Sequence, residues 1–149
     1  MTLLRFLLIL LPLIGFNGVV AAQVINQKSI LGNWTVQSGD ATVSIFFKEN
    51  KYFGKVIWLK TPLDRNGVVV KDSNNVDKKL RKRPALGLTL LQNFEFTENN
   101  TWEGGTIYDP NNGKTYSCNI KMKNKNQLEI RGYIGIALLG RTEIWTYSK

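Results

Sequence analysis

The sequence predicts an all-β protein, about eight antiparallel strands closed into a barrel, with one long loop that carries a short helical turn. Three observations point there. From Ile30 onward apolar residues recur with a period of two, and short apolar runs are separated by turn residues. No long segment carries a helical repeat. Glycines at 54, 104, 105, 132 and 140 fall inside the strand patterns, where a small barrel needs sharp bends and close approaches. A sandwich has the same pattern, but closure removes the two exposed sheet edges.

The elements follow in order. Ile30–Val36 is a first strand, ended by Ser38-Gly39-Asp40. Ala41–Lys48 is a second, rich in Val, Ile and Phe. Glu49-Asn50-Lys51 turns the chain into Tyr52–Leu59. After a long connection come Leu88–Thr97, Thr101–Tyr108, Lys114–Met122, Gln127–Tyr133 and Leu138–Tyr147. The turns between them are Glu98-Asn99-Asn100, Asp109-Pro110-Asn111-Asn112-Gly113 and Lys123–Asn126. Asn and Gly tolerate positive φ and Pro presets the first turn position.

Residues 1–22 read as a signal peptide. Arg5 is followed by the apolar run Phe6–Phe16, and Val20-Ala21-Ala22 has the small residues of a cleavage site. An uncleaved anchor is the alternative, but Pro12, Gly15, Asn17 and Gly18 interrupt the run. Residues 23–149 then form one domain. The chain carries a net charge of +9, and removing residues 1–22 takes away only Arg5 among the charged side chains. This favours anionic partners or serves solubility. Cys118 is the single cysteine, so no intramolecular disulfide forms.

Two resemblances sharpen the fold. Gly32-Asn33-Trp34 on the first strand, with Arg141 on the last, resembles the lipocalin (calycin) pattern, in which an early Trp closes the barrel bottom beneath a late Arg. A guanidinium stacked on indole would be worth about 0.5–2 kcal/mol. Further along stand Gly54-Lys55-Val56-Ile57-Trp58, then Asp72, Asn75, Asp77 and Leu80-Arg81-x-Arg83-Pro84-x-x-Gly87. Trp102-x-Gly104-Gly105-x-Ile107-Tyr108-Asp109-Pro110-x-x-Gly113-Lys114-x-Tyr116, Arg131-Gly132-Tyr133-x-Gly135 and Gly140-Arg141-Thr142-x-x-Trp145 complete the set. In order and spacing these resemble a secreted bacterial family, domain of unknown function 2147. Val76 and Cys118 depart from it, where the family favours Pro and a small residue such as Ala. The resemblance implies a lipocalin-like barrel exported to the envelope, periplasmic or secreted in a Gram-negative bacterium, and brings no established activity.

The long connection, Leu59 to Leu86, holds the most charged stretch. Asp64-Arg65-Asn66-Gly67 is a turn, and Val68-Val69-Val70 is a short strand or packed flap. Asn74 or Asn75 is placed to cap a helical turn ending at Arg83, before Pro84. Lys78, Lys79, Arg81, Lys82 and Arg83 then admit three readings. They are solvated; or Arg81 and Arg83, two apart and on one face if extended, capture an anionic group; or they meet nucleic acid. Export and the lack of an aromatic cluster beside them weigh against the last.

Histidine is absent, which removes the commonest general base and metal ligand. Cys118 reads as a small buried residue. Asp72-x-Asn74 lacks the rest of a calcium loop. Asp64, Asp72, Glu103, Glu129 and Glu143 are the carboxylates available to a hydrolase, with no spacing that singles out two. Glu129, Arg131, Arg141 and Glu143 are expected to pair across the final hairpin. Neither cofactor nor metal is expected.

The expected protein is a binding protein rather than an enzyme, its ligand small, hydrophobic or amphipathic, and anionic, with its tail in the barrel interior and its head near Arg81 and Arg83. The expected contacts are Arg81, Arg83, Trp58, Trp102, Tyr108, Arg131, Tyr133 and Arg141, with Gly32 and Trp34 closing the barrel. A carboxylate-based envelope hydrolase, or a packed barrel working through protein or glycan contacts, are the contrasting classes. Peripheral contact with an anionic membrane surface is a further expectation.

Overall fold

The computed structural model describes residues 24–149; the expected signal segment, residues 1–22, lies outside them. Eight strands form a closed antiparallel barrel in simple up-and-down order. They are β1 (Gly32–Thr35), β2 (Ala41–Lys48), β3 (Lys51–Leu59), β4 (Thr89–Phe96), β5 (Thr101–Asp109), β6 (Lys114–Asn124), β7 (Gln127–Tyr133) and β8 (Arg141–Ser148). Closure is made by the ladder between β1 and β8, with Trp34 opposite Tyr147. Two boundaries differ from expectation. Ala137–Leu139 is a turn of 3₁₀ helix before β8, and residues 27–30 form a turn before β1.

Alternation sends one side chain of each strand pair inward. Trp34, Phe94, Trp102, Cys118 and Leu128 have no exposed surface, and Trp145, Ile120 and Leu91 have almost none. This aromatic filling needs glycines opposite it. A Cβ on Gly105 would lie 2.4 Å from the Phe94 ring, and one on Gly54 would lie 2.9 Å from Val43 and Leu91. Both glycines give bulky neighbours their space, as the glycines within the strand patterns suggested. Burial pushes the Cys118 thiol up to about 12, which suits the expected inert, buried residue.

Up-and-down order puts the β1–β2, β3–β4, β5–β6 and β7–β8 connections at one end, the upper end. The lower end is closed by the turn before β1. There the Trp34 indole N–H donates to the Ile30 carbonyl at 2.8 Å, and Tyr147 meets the indole edge-on at 5.3 Å. Gly32, at φ 133°, lets Tyr147 lie against the backbone. The expected Arg141 stack on Trp34 does not form. β8 runs downward, so its first residue, Arg141, stands at the upper end opposite Gly132, and its late residue Tyr147 takes the place beside Trp34.

Two other expectations shift for reasons of register. Thr42 pairs with Trp58 but Val43 with Val56, leaving Ile57 as an extra residue. The bulge turns Trp58 to the outer face, 48% exposed, instead of toward the interior. In the last hairpin Ile130 pairs with Glu143 and Arg131 with Thr142. Glu129 and Arg131 therefore face outward while Arg141 and Glu143 share the inward face, so the expected cross-strand pairs cannot meet. Glu129 instead pairs with Lys123 at 3.5 Å.

Gly105→Ala should force the Phe94 ring out of its place and lower unfolding free energy by about 1–3 kcal/mol, the cost of overpacking. Urea denaturation of the purified protein measures this directly, and an unchanged midpoint contradicts the packing described.

Candidate functional site

The site is built on the connection between β3 and β4. Its first part is a hairpin. The Asp64 side chain accepts from the backbone of Asn66 and Val68, Gly67 takes φ 75°, and Leu63 bridges Val69. The chain then doubles on itself. Lys71 bridges Pro84, and the Ala85 N–H donates to Val70 and the Asp72 N–H to Arg83. Gly87 and Leu88 rejoin Val56 of β3 at 2.9 Å. Between Asp77 and Arg83 the expected helical turn is a run of tight turns, Leu80 to Asp77, Arg81 to Lys78 and Arg83 to Leu80. At its start Asn75 Oδ1 accepts the Asp77 N–H at 2.8 Å, as expected of a cap, and Asp77 Oδ1 in turn accepts the Lys79 N–H at 2.9 Å.

This doubled segment is fastened to the outside of the barrel. Ile107 faces the interior, against Gly132, so Tyr108 beside it faces outward. It is nevertheless buried, because the segment covers it. Asp72 is fully buried over it and accepts from the Tyr108 hydroxyl, from Asn75 Nδ2 at 2.7 Å and from Arg83 Nε at 2.9 Å, with Arg83 Nη2 at 2.8 Å. Asn75 Nδ2 also reaches the Tyr108 hydroxyl at 3.1 Å. The Arg83 guanidinium lies 5.8 Å from the Tyr108 ring centre. Asn74 Nδ2 donates to the carbonyls of Pro110 and Asn111, each at 3.1 Å. A Cβ at Gly113 would sit 1.8 Å from the Asn74 carbonyl oxygen, so only glycine permits this contact between segment and turn.

The electrostatics follow. Burial pushes the Asp72 carboxyl up, but the donors Tyr108, Asn75 and Arg83, with the Arg83 charge, outweigh it and hold the group below the usual carboxylate range. Tyr108 is raised, by burial first and then by its hydrogen bond to Asp72. The anion that Arg83 grips is thus the chain's own Asp72. Arg81 folds the same way, its Nε donating to the Asn75 carbonyl at 2.6 Å. The two arginines do converge, but on the Asp72–Asn75 turn and not by sharing a face of an extended strand.

Between this segment and the outer wall of β4, β5 and β6 lies a pocket of about 700 Å³. Val76, Leu80, Pro84, Leu86 and Leu88 supply its apolar wall, and Arg83, Gln92, Tyr108 and Thr115 its polar one. Of the expected contact residues it gathers Arg83 and Tyr108, with Arg81 anchored just behind. The others lie elsewhere. Trp102 is in the core, edge-on to Tyr52 at 6.2 Å, and its indole N–H has no hydrogen-bond partner. Arg131 holds the β7–β8 connection, donating to the carbonyls of Ala137 at 2.6 Å and Leu138 at 3.0 Å and to Thr142. Tyr133 is half-buried under Gly140, and Arg141 is exposed at the upper rim.

Leu86, Leu88, Gln92 and Thr115 were not singled out by sequence reasoning. Their signal is positional for three of them, since Leu86 and Leu88 precede β4 and Thr115 is second in β6, whereas Gln92 lies in the middle of β4 and is brought to the pocket only by its outward face. The carboxylates available to a hydrolase are dispersed. Asp64 shapes its hairpin, Asp72 is enclosed, Glu129 pairs with Lys123, and Glu143 accepts from the Trp145 indole at 3.3 Å. Among the described residues no three His, Cys, Asp or Glu side chains group as a metal site.

An up-and-down eight-stranded barrel with one long connection folded against its outer wall defines a lipocalin-like fold. Protein HP1028 from the human pathogen Helicobacter pylori, described as belonging to the lipocalin family, superposes with a TM-score of 0.68 at 24% identity, covering 80% of this chain and 82% of that one. Residues 32–147 match the family described as "Uncharacterized protein conserved in bacteria (DUF2147)", and the chain belongs to that family. No curated protein matches it.

Asp72→Ala should strip Tyr108, Asn75 and Arg83 of their common acceptor, at a cost of about 1–3 kcal/mol for each buried donor left unpaired. Because the folded carboxyl lies below its unfolded value of about 3.9, the contribution of Asp72 is complete above that pH. It is lost as pH falls through the lower folded value. Hydrogen exchange across residues 71–88 should therefore accelerate in the variant at neutral pH, and in the wild type only under acid. Equal protection in both at neutral pH contradicts the clamp.

Proposed function

We propose that this lipocalin-like protein is an exported binding protein that holds a small amphipathic, anionic molecule between its long connection and its outer wall. The observation that carries the reading is the pocket itself. Its volume of about 700 Å³ falls within the range of small-molecule sites, and its mixed lining is typical of them. Leu80, Leu86 and Leu88 suit a hydrocarbon portion. The Nη1 edge of Arg83, not engaged by Asp72, together with Gln92 and Thr115, suits a carboxylate or phosphate.

The seat differs from the barrel interior expected for such a ligand. Trp34, Phe94, Trp102 and Trp145 fill the axis, so an apolar tail is better accommodated outside the wall. Ionised Asp72 supports this arrangement by holding Arg83 in a fixed orientation, which reduces the entropy lost on binding.

Native mass spectrometry of protein recovered from the cell envelope, offered fatty acids and lysophospholipids, should show an adduct of lipid mass. Leu86→Asp, at a position 48% exposed and so tolerant of change, should weaken that adduct by about tenfold or more. Bare protein throughout overturns the reading. The same spectra test export: the processed chain should begin at Gln23, and an envelope protein whose mass retains residues 1–22 contradicts cleavage there.

A further inference from the structure

The connection between β7 and β8 is the most apolar exposed part of the described chain. Ile134 is 73% exposed, Ile136 58%, Leu138 82% and Leu139 78%. Four aliphatic side chains thus stand in water within six residues, too dense a cluster to be ordinary surface scatter. The loop is also firmly held. Gly135 takes φ 77°, the Leu139 N–H donates to Ile136 at 3.2 Å and the Gly140 N–H to Ala137 at 3.0 Å. Arg131 turns back from the strand to donate to the Ala137 and Leu138 carbonyls. The consequence is specific: the carbonyls of Ile136, Ala137 and Leu138 are satisfied internally while the Ile136 and Leu138 side chains stand exposed. Entering an apolar medium is costly mainly for unpaired backbone groups, and at these three carbonyls that cost is lowered in advance.

The surroundings say which medium. By strand order this tip shares the upper end of the barrel with the β3–β4 connection. That connection exposes Lys60, Lys71, Lys78, Lys79 and Lys82, and Arg141 is exposed directly beside the tip. Exposed acids at the same end, Asp40, Asp64 and Asp77, are fewer. An apolar tip at an end of the barrel with more exposed cations than acids complements a surface that is negatively charged outside and apolar just beneath, which is an anionic lipid bilayer. A second copy of the chain is a poorer occupant, because pairing tip to tip would bring like charges together.

We infer that the β7–β8 tip, Ile134–Leu139, inserts into the interface of an anionic bilayer while the basic residues of the upper end engage its headgroups. Arg131 is a positioning residue in this arrangement. It keeps the Ala137 and Leu138 carbonyls paired, and the aliphatic side chains make the contact. The inference stands independently of any occupant of the pocket.

Co-sedimentation with vesicles of phosphatidylglycerol and phosphatidylethanolamine, against vesicles of phosphatidylcholine, tests it. The wild type should bind the anionic vesicles preferentially, and binding should fall as salt rises. Leu138→Asp with Leu139→Asp should reduce the bound fraction by ~tenfold or more, with circular dichroism unchanged because both side chains are exposed. An Ile136→Trp reporter, excited against the wild-type background, should gain a blue-shifted emission on anionic vesicles only. No vesicle binding by the wild type overturns the inference. Binding that survives the double substitution does so too, as does a concentration-dependent dimer that the double substitution abolishes without any vesicle uptake.

Discussion

Asp72 is withdrawn from water yet kept ionised, because Tyr108, Asn75 and Arg83 surround its two oxygens with donors. An unpaired carboxylate in that place would be expelled or protonated. Since two of the donors belong to the long connection and the third to the outer face of β5, the carboxylate can be satisfied in only one arrangement of loop against barrel. The loop is long, and ordering it is entropically costly. Much of what opposes that cost is gathered at this one charge and at the Asn74 and Gly113 contact next to it. The pocket exists because the clamp holds the segment at Asp72 and Asn75 while Leu80 and Leu86 stand clear of the wall.

The packing of the barrel bears on why the pocket lies outside it. A cylinder of eight strands has room for its own side chains or one small ligand, and here three fully or almost fully buried indoles and Phe94 use that space. Gly54 and Gly105 yield further room to those neighbours rather than to a cavity. Open surface concavities are left to the rim and the flank, where the connections are. The upper end carries the long ones: the β3–β4 segment with its pocket, and the β7–β8 tip with its exposed aliphatics. The lower end is sealed by a short turn and by Tyr147 against Trp34. The family resemblance is consistent with this division, since Asp72, Asn75, Arg83, Tyr108 and Gly113 all belong to its pattern and all serve the clamp.

Much of this was legible in one dimension. The strand count, the closed barrel, the turns at Asp64–Gly67 and Asp109–Gly113 and the buried Cys118 follow from alternation and turn chemistry, which act over a few residues. The importance of Arg81 and Arg83 was legible too, but not their partner. An arginine two residues from another suggests a shared face only while the chain is extended, and the tight turns from Asp77 to Arg83 remove that premise. Trp58 was misplaced because a bulge is a one-residue slip in pairing, and nothing in Gly54-Lys55-Val56-Ile57-Trp58 announces it. The same holds for the final hairpin, where a register offset separated charges whose sequence parity matched.

What the sequence determined by itself was therefore everything that depends on local periodicity: an all-β chain, its turns, its basic surplus and its lack of histidine chemistry. The tertiary structure alone decided which carboxylate meets which guanidinium, which tryptophans are interior, and that the pocket lies on the flank rather than on the axis. The physical reason is that alternation specifies a face only relative to neighbours, whereas register, bulges and loop docking are settled by contacts between residues as far apart as Asp72 and Tyr108. Until those contacts form, a side chain has a parity but no surroundings.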